Sequence, residues 1–142
     1  MSPLISSDEG RYQSAIERNT SMIRTGIRLL LSGIFIIGGW GAFSNPGKRP
    51  EKVAAAGIPQ PEKAVVMNGA VMIFAGILLS LGIAPRLASA ILIGSMIPTT
   101  IVGHPFWKDE PGQARENNTI QFLKNLGLIG GLLMVLTEKV TE

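Results

Sequence analysis

Long stretches without ionisable side chains divide this sequence. No ionisable residue occurs from Leu29 to Gly47 or from Ala64 to Pro85, and between Arg86 and Lys108 only His104 can ionise. A helix needs about 20 mostly apolar residues to cross roughly 30 Å of hydrocarbon. The pattern therefore predicts three transmembrane helices, over residues 25–43, 65–85 and 87–107.

A fourth span is predicted over residues 119–137, although its uncharged core runs only from Asn125 to Thr137. Lys124 falls about one turn inside the start of this helix, where its stem can lie in the apolar zone while the ammonium reaches the headgroups. The alternative for all four segments is a soluble four-helix bundle. A soluble helix carries a charged face, and the second segment has none, so the sequence favours a membrane protein.

Small residues four positions apart suggest how the helices pack. Helices in lipid associate through small residues that let their backbones approach. Each span has such a pair, namely Gly38 with Ala42, Gly76 with Ser80, Ala90 with Gly94, and Gly127 with Gly131. Pro98 is predicted to kink the third span, and Thr99 or Thr100 could bond to the carbonyl that it frees. The predicted fold is an all-α, four-helix transmembrane bundle.

Residues 1–24 form a polar N-terminal arm, and residues 139–142 form a short C-terminal tail. The arm lacks the basic start, short apolar run and cleavage site of a secretory signal peptide. Two structures for it remain open, an irregular arm and a short surface helix marked by Tyr12, Ile16 and Ile23. It could also become ordered against a partner protein.

Four spans place both termini on one side of the membrane and the loops 44–64 and 108–119 on the other, here called the long-loop side. The first loop has four prolines and is predicted to be irregular. The spans bring candidate functional side chains to the long-loop side, and we expect a binding site there. These candidates are His104, Trp107, Phe106, Trp40, Lys124, Asn125 and Asn68.

Each candidate also has a structural explanation. Trp40, Phe106 and Trp107 fit an aromatic belt at the membrane interface. His104 can be an interfacial residue or can bind a ligand or a proton, and Lys124 can extend to the headgroups or act as a base. Asn68 and Asn125 can bond across helices or contact a ligand.

Composition excludes several kinds of chemistry. The chain has no cysteine and one histidine, so it offers no thiol redox centre, no helical histidine pair for a metal and no catalytic triad. No basic stripe with interleaved aromatic residues points to nucleic acid. The ten carboxylates lie outside the predicted spans, whereas a proton pump usually has one at membrane depth. The sequence therefore favours a protein without an independent catalytic site.

Four motifs together resemble the DoxX family of small bacterial and archaeal proteins with four transmembrane helices. They are RLLLSGIFIIGGW, KVAAAGIPQP, HPFW and FLKNLGLIGGLL, and the similarity covers about residues 25–137. The resemblance implies a location in the cytoplasmic membrane, with both termini cytoplasmic and His104 outside. Charge leaves orientation undecided, since six basic residues fall on the terminus side and seven on the long-loop side.

The resemblance also implies a context in membrane redox chemistry, because the family is similar to the membrane subunit of thiosulfate:quinone oxidoreductase. Three hypotheses follow. The first is a non-catalytic small subunit that docks onto a larger membrane assembly, such as a respiratory or other quinone-linked complex. The second is a site for a quinone or lipid on the long-loop side, with His104 and Lys124 bonding to a carbonyl and Trp40, Phe106 and Trp107 stacking on its ring. The third is a transporter of small solutes or lipids.

The expected partners are membrane lipids together with a larger membrane protein complex or further copies of the chain. The candidate ligand is a quinone or a lipid, and no metal-bound or covalent cofactor is expected.

Overall fold

The computed structural model describes residues 3–139, and for residues 3–6 it describes the backbone alone. This part of the chain consists of helices and connecting loops, without a strand. Five α-helices and one 3₁₀ turn follow one another, namely α1 (Pro3–Ser44), α2 (Arg49–Ala55), α3 (Pro61–Leu81), α4 (Pro85–Gly103), the 3₁₀ turn Phe106–Lys108, and α5 (Gln113–Thr137). Four helices of the described residues, α1, α3, α4 and α5, are long and apolar enough to cross a membrane. The predicted all-α fold with four spans is confirmed.

The N-terminal arm is part of the first membrane helix. α1 runs without interruption through 42 residues, from Pro3 to Ser44. The segment from Pro3 to residue 24 is therefore neither an irregular arm nor a separate short helix. At about 1.5 Å per residue, roughly half of α1 extends beyond the hydrocarbon. The predicted tail lies outside the described residues apart from Lys139.

Helix boundaries differ from the predicted spans because prolines and glycines, rather than charges, set them. Pro61 lies in the first turn of α3, and Gly82 ends that helix in the left-handed conformation (φ 69°), while the Ile83 amide bonds to the Leu78 carbonyl. This is the usual Schellman arrangement at a helix C-terminus. The second span therefore ends before Pro85, which instead begins α4.

The long-loop side also has more regular structure than expected. The first loop contains α2, with proline in its first turn, so the prediction of an irregular segment is wrong. α4 ends at Gly103, before the His104–Pro105 break, and α5 begins at Gln113, well before residue 119. The polar residues ahead of the fourth span continue its helix into water because charge does not stop a helix.

Close backbone contact between α1 and α3 organises the bundle. A Cβ added to Gly69 would lie 2.7 Å from the Gly39 carbonyl oxygen and 2.8 Å from the Phe43 amide nitrogen. Gly76 also faces α1, as its place in a small-residue pair predicts, since an added Cβ would lie 2.9 Å from the Ile36 side chain. Gly94 and Gly127 meet no neighbour within 4 Å, so they do not pack helices within the described bundle.

The threonines after Pro98 do not act as predicted. A proline at this position frees the carbonyl four residues earlier, which belongs to Gly94. The Thr99 and Thr100 hydroxyls instead donate to the carbonyls of Ser95 (2.8 Å) and Met96 (2.7 Å).

The apolar core fills the middle of the bundle and the half nearer the termini. It centres on Phe35, Leu79, Leu92 and Leu132, all fully buried. Polar contacts close the terminus side, where Arg24 forms an ion pair with Glu138 (2.5 Å) and Arg86 donates to the Leu136 carbonyl (2.9 Å). Packing is thus dense at this end and leaves space at the other.

Candidate functional site

A cavity of about 710 Å³ occupies the long-loop half of the bundle. Its volume falls within the roughly 300–1,000 Å³ typical of small-molecule sites. Its deeper wall is apolar and its outer wall is polar. The apolar wall includes Ile34, Phe35, Met72, Met96 and Leu128, and the polar wall includes Lys48, Arg49, Lys52, Asn68, Thr99, His104, Gln121, Lys124 and Asn125.

The packing of the helices explains why the space exists. α1 packs along α3, and α4 packs against both α3 and α5, but α1 and α5 touch only sparsely. Both helices line the cavity, α1 through Ile34 and Gly38 and α5 through Lys124 and Leu128. The side between α1 and α5 is therefore a sparsely packed wall of the cavity.

Asn68 holds α3 to α4 at the cavity wall. Its side-chain nitrogen donates to the Thr99 hydroxyl (3.1 Å), and its oxygen accepts from the Ser95 hydroxyl (2.7 Å). Of the two roles left open for this residue, the cross-helix bond is the one present. A satisfied amide of this kind fixes the relative rotation of two helices that are otherwise apolar.

Asn125 behaves differently, although it is also on the cavity wall. Its side chain is only 6% exposed, and it forms no hydrogen bond within the described residues. The polar atoms that are both fully enclosed and unpartnered in the described residues are Arg28 Nε and Ser89 Oγ, so the amide of Asn125 opens onto the cavity. Such a group beside a cavity is well placed to bond to a molecule inside it.

His104 follows the end of α4 and contacts Asn118 of α5, which is held in turn by Asp109 in the preceding loop. Asn118 donates through its side-chain nitrogen to an Asp109 carboxylate oxygen (2.7 Å), which leaves its own oxygen 3.3 Å from His104 Nδ1. An amide oxygen only accepts, so Nδ1 carries the proton in this contact. A neutral His104 ring then presents Nε2 as an acceptor.

The outer wall is positively charged. It contains three lysines and one arginine, and none of the cavity-lining residues in the described chain is a carboxylate. Lys52 donates to the Gly103 carbonyl (2.7 Å) and so holds α2 against the end of α4, while Lys124 bonds to the Gln121 side chain. These groups favour a ligand head that is anionic or rich in hydrogen-bond acceptors.

The structure brings together four of the seven predicted candidates, since His104, Lys124, Asn125 and Asn68 all line the cavity. The three aromatic candidates lie outside the cavity wall. Trp40 stacks on Phe43 (6.2 Å between ring centroids) and is 61% exposed, which fits an aromatic belt. Phe106 and Trp107 pack edge-to-face with Phe122.

Several residues at the site were not predicted from the sequence. Lys48, Arg49 and Lys52 are on or beside α2, and Pro50 in RPEKVAA was an available signal for that helix. Asn118 had no signal of its own, because its contact with His104 depends on how the loop 104–112 turns back. Among the described residues, no cluster of histidine and carboxylate side chains could hold a metal ion.

Comparison with known proteins identifies the family. The DoxX family model matches residues 23–105, from the membrane-spanning part of α1 through α4 to the residue after His104. A comparison with curated proteins finds no match, and neither does a comparison with solved structures. The matched segment is more than half of the chain and includes three of the four membrane helices, and the chain therefore belongs to the DoxX family.

Proposed function

We propose that this protein binds a lipid-soluble molecule of the quinone class in the long-loop cavity, as a small subunit of a larger membrane assembly. The Asn125 side chain carries the proposal, because its amide has no hydrogen-bond partner among the described residues and opens onto the cavity. An amide that faces an internal cavity without a protein partner can donate to and accept from a molecule bound there.

The two walls suit the two ends of such a molecule. A quinone has carbonyl oxygens that accept hydrogen bonds, and the Asn125 amide and the Lys52 and Lys124 ammonium groups can donate them. Phe35, Met72 and Met96 offer apolar and thioether surface to a ring. An isoprenoid tail can leave the cavity between α1 and α5, which are sparsely packed and border the lipid.

The tautomer of His104 determines which oxidation state of the ligand it can bond to. Its Nε2, as an acceptor, suits the hydroxyl of a quinol better than the carbonyl of a quinone. When bound, such a molecule would supply redox capacity to a partner protein. The residues of this chain would bind its head, orient it and exclude bulk water.

Replacing Asn125 with leucine tests the proposal. We expect Asn125→Leu to weaken binding of a decyl-tailed benzoquinone at least tenfold, which corresponds to about 1.4 kcal/mol. The free energy of unfolding should stay the same or rise by about 1 kcal/mol, because a cavity-facing amide is replaced by an apolar side chain. Binding would be measured by equilibrium dialysis of the protein in lipid nanodiscs.

The matched control is Asn117→Leu, two turns earlier on α5 and exposed. It should leave both binding and stability unchanged. Undiminished binding in Asn125→Leu, or no measurable binding by the unaltered protein, would contradict the proposal. His104→Ala should weaken binding of the corresponding benzoquinol, whose hydroxyl donates to Nε2, while the helix content is retained.

Docking onto a larger redox assembly is the second part of the proposal, and the outer face of α4 supports it. Leu87, Ile97 and Ile101 are exposed along this face, and the small pair Ala90 and Gly94 lies between them with open space in front of Gly94. Small residues with no neighbour in their own bundle suit close approach by a helix of another protein.

Gly94→Leu should abolish co-purification of haem-, flavin- or iron–sulfur-bearing proteins in mild detergent, as read from the absorption spectrum of the purified material. Gly127→Leu is the control, because Gly127 also faces open space but lies on α5, away from the outer face of α4. A monodisperse, cofactor-free preparation of the unaltered protein that is active by itself would refute the docking role.

A transporter is less consistent with the packing. The cavity reaches only the middle of the bundle, and the buried side chains of Leu79, Leu92 and Leu132 fill the half nearer the termini. A solute would therefore find no continuous path between the two sides.

A further inference from the structure

α1 carries an exposed heptad pattern that passes without interruption from water into the membrane. Ile16, Ile23, Leu30 and Ile37 are seven residues apart and correspond to the a positions of a coiled coil. All four are exposed, with Leu30 at 82% and Ile37 at 75%. The d positions follow the same rhythm and hold Tyr12, Asn19, Gly26, Gly33 and Trp40. We call these a and d positions the α1 seam.

The α1 seam faces away from the bundle to which it belongs. The opposite side of α1 supplies Ser32, Phe35 and Gly39 to the interior, and Arg24 pairs with Glu138 of α5. An added Cβ at Gly26 or Gly33 would meet nothing within 4 Å. None of the four helices of the same chain therefore covers the seam.

Lipid can cover only part of it. Leu30 and Ile37 lie within the predicted span, where hydrocarbon is a suitable solvent. Tyr12 lies fourteen residues before Gly26, and at about 1.5 Å per residue it is roughly 20 Å further along the helix axis. The exposed Tyr12 and Ile16 side chains lie beyond the hydrocarbon, where a protein surface that continues the contact made within the membrane can cover them.

We propose that the α1 seam is the contact between two copies of this chain, which pair through parallel α1 helices. Two copies inserted in one membrane with the same orientation present α1 in parallel and at the same depth. A partner helix that leaves the membrane in register and carries the same repeat is thus always available. Isoleucine at successive a positions favours parallel pairing, and glycine at d positions within the membrane lets two backbones approach.

Charge distribution supports pairing of like with like. Between Tyr12 and Ile23, the positions that flank the seam (e and g) are uncharged, and they hold Gln13, Ala15, Thr20 and Met22. Asp8 and Glu9, one turn before Tyr12, fall at g and a, so the uncharged contact begins at Tyr12. Glu17 and Arg18 lie at b and c, away from the contact. Two identical helices can therefore meet along the seam without like-charge repulsion.

The absence of cysteine from the chain allows a direct test. In a symmetric parallel pair, each seam residue meets its own counterpart. Single variants Ile16→Cys and Ile23→Cys, in the full-length protein in native membranes, should give a disulfide-linked dimer on mild oxidation. The matched controls Ser14→Cys and Ser21→Cys occupy the f positions on the far side of the same helix turns and should give no dimer band.

Three outcomes would overturn the proposal, namely equal cross-linking at all four positions, no dimer from the seam variants, or a cross-linked product of a mass other than twice the chain. The last would assign the seam to a different protein.

A second measurement does not depend on cysteine. The double variant Ile16→Lys with Ile23→Lys should convert a dimer to a monomer in the mass of the nanodisc-embedded protein. Binding of the decyl-tailed benzoquinone should be retained, because the substituted residues are far from the cavity. A dimer that persists in this variant would contradict the proposed pairing through the α1 seam. Absence of quinone binding by the unaltered protein would contradict the proposed function and would leave the pairing unaffected.

Discussion

Hydrogen bonding by single side chains decides what the cavity can recognise. Asn68 and Asn125 are both asparagines on cavity-facing helices, but the first has two bonds to α4 and the second has none among the described residues. The first is therefore a structural residue and the second a candidate ligand contact. Residue type and depth along the span are similar for the two, so only their neighbours distinguish them.

Asn118 is predicted to position His104. Removing it in Asn118→Ala should free the ring to adopt either tautomer and to rotate, because Nδ1 loses its acceptor. We expect binding of the decyl-tailed benzoquinol, whose hydroxyl donates to Nε2, to weaken by about three- to tenfold, in line with a net hydrogen-bond contribution of about 1 kcal/mol.

His104 is the only histidine, so its side-chain ¹⁵N resonances report the tautomer without ambiguity. They should show a proton on Nδ1 in the unaltered protein and a mixture in Asn118→Ala. Asn117→Ala, on the exposed side of α5, should change neither the tautomer nor binding. A proton found on Nε2 in the unaltered protein would exclude the positioning role.

Pairing of helices depends on where two backbones can approach. α1 and α3 meet at Gly39 and Gly69, where carbonyl and amide atoms fill the place of a side chain. The small pairs predicted from the sequence are different ones, and two of their members, Gly94 and Gly127, face open space. Small residues are thus easy to find in a membrane helix, but only the rotation of each helix about its axis shows which of them form contacts.

Two glycine substitutions are predicted to differ sharply. Gly69→Ala should lower the free energy of unfolding by about 1–3 kcal/mol, because the new methyl group overlaps backbone atoms that cannot move aside alone. Gly94→Ala should be neutral or raise it by up to about 1 kcal/mol, since alanine is the better helix former and the space is free.

The free energy of unfolding of both variants can be measured in mixed micelles as the fraction of a denaturing detergent is increased. Equal effects at the two positions would show that the α1–α3 contact does not organise the bundle.

The whole molecule has one polar, open end and one closed end, and their orientation in the membrane determines which compartment the cavity adjoins. Membership of the DoxX family is the basis for expecting cytoplasmic termini, since the basic residues are evenly divided between the two sides. The cavity, α2 and His104 would then adjoin the outer face. A quinone site there would serve a partner on that side of the membrane.

Single cysteines can establish this orientation. Ser44→Cys, at the exposed end of α1 on the long-loop side, should react with a membrane-impermeant maleimide in intact cells. Ser14→Cys, in the exposed N-terminal half of α1, should react only after permeabilisation. The reverse pattern would place the cavity in the cytoplasm.

The number of spans and the membrane location were determined by the sequence alone. Hydrocarbon tolerates an α-helix only when about 20 residues in succession are mostly apolar, and this requirement is local and can be counted along the chain. The family resemblance could be recognised from the sequence because it depends on short local motifs, at the ends of the spans and in the first loop. Helix ends were less accessible, because Gly82 and Pro85 interrupt an uncharged run that hydropathy treats as continuous.

The cavity was decided by tertiary structure. A helix that is apolar on every side gives no sign of which face meets its neighbour, so the sparse contact between α1 and α5 could not be inferred. The contact of His104 with Asn118 depends on a loop reversal, and the isolation of Asn125 depends on what surrounds it. Each of these features depends on contacts between distant parts of the chain. Such contacts form only when each helix has its final rotation about its axis and its final depth in the membrane.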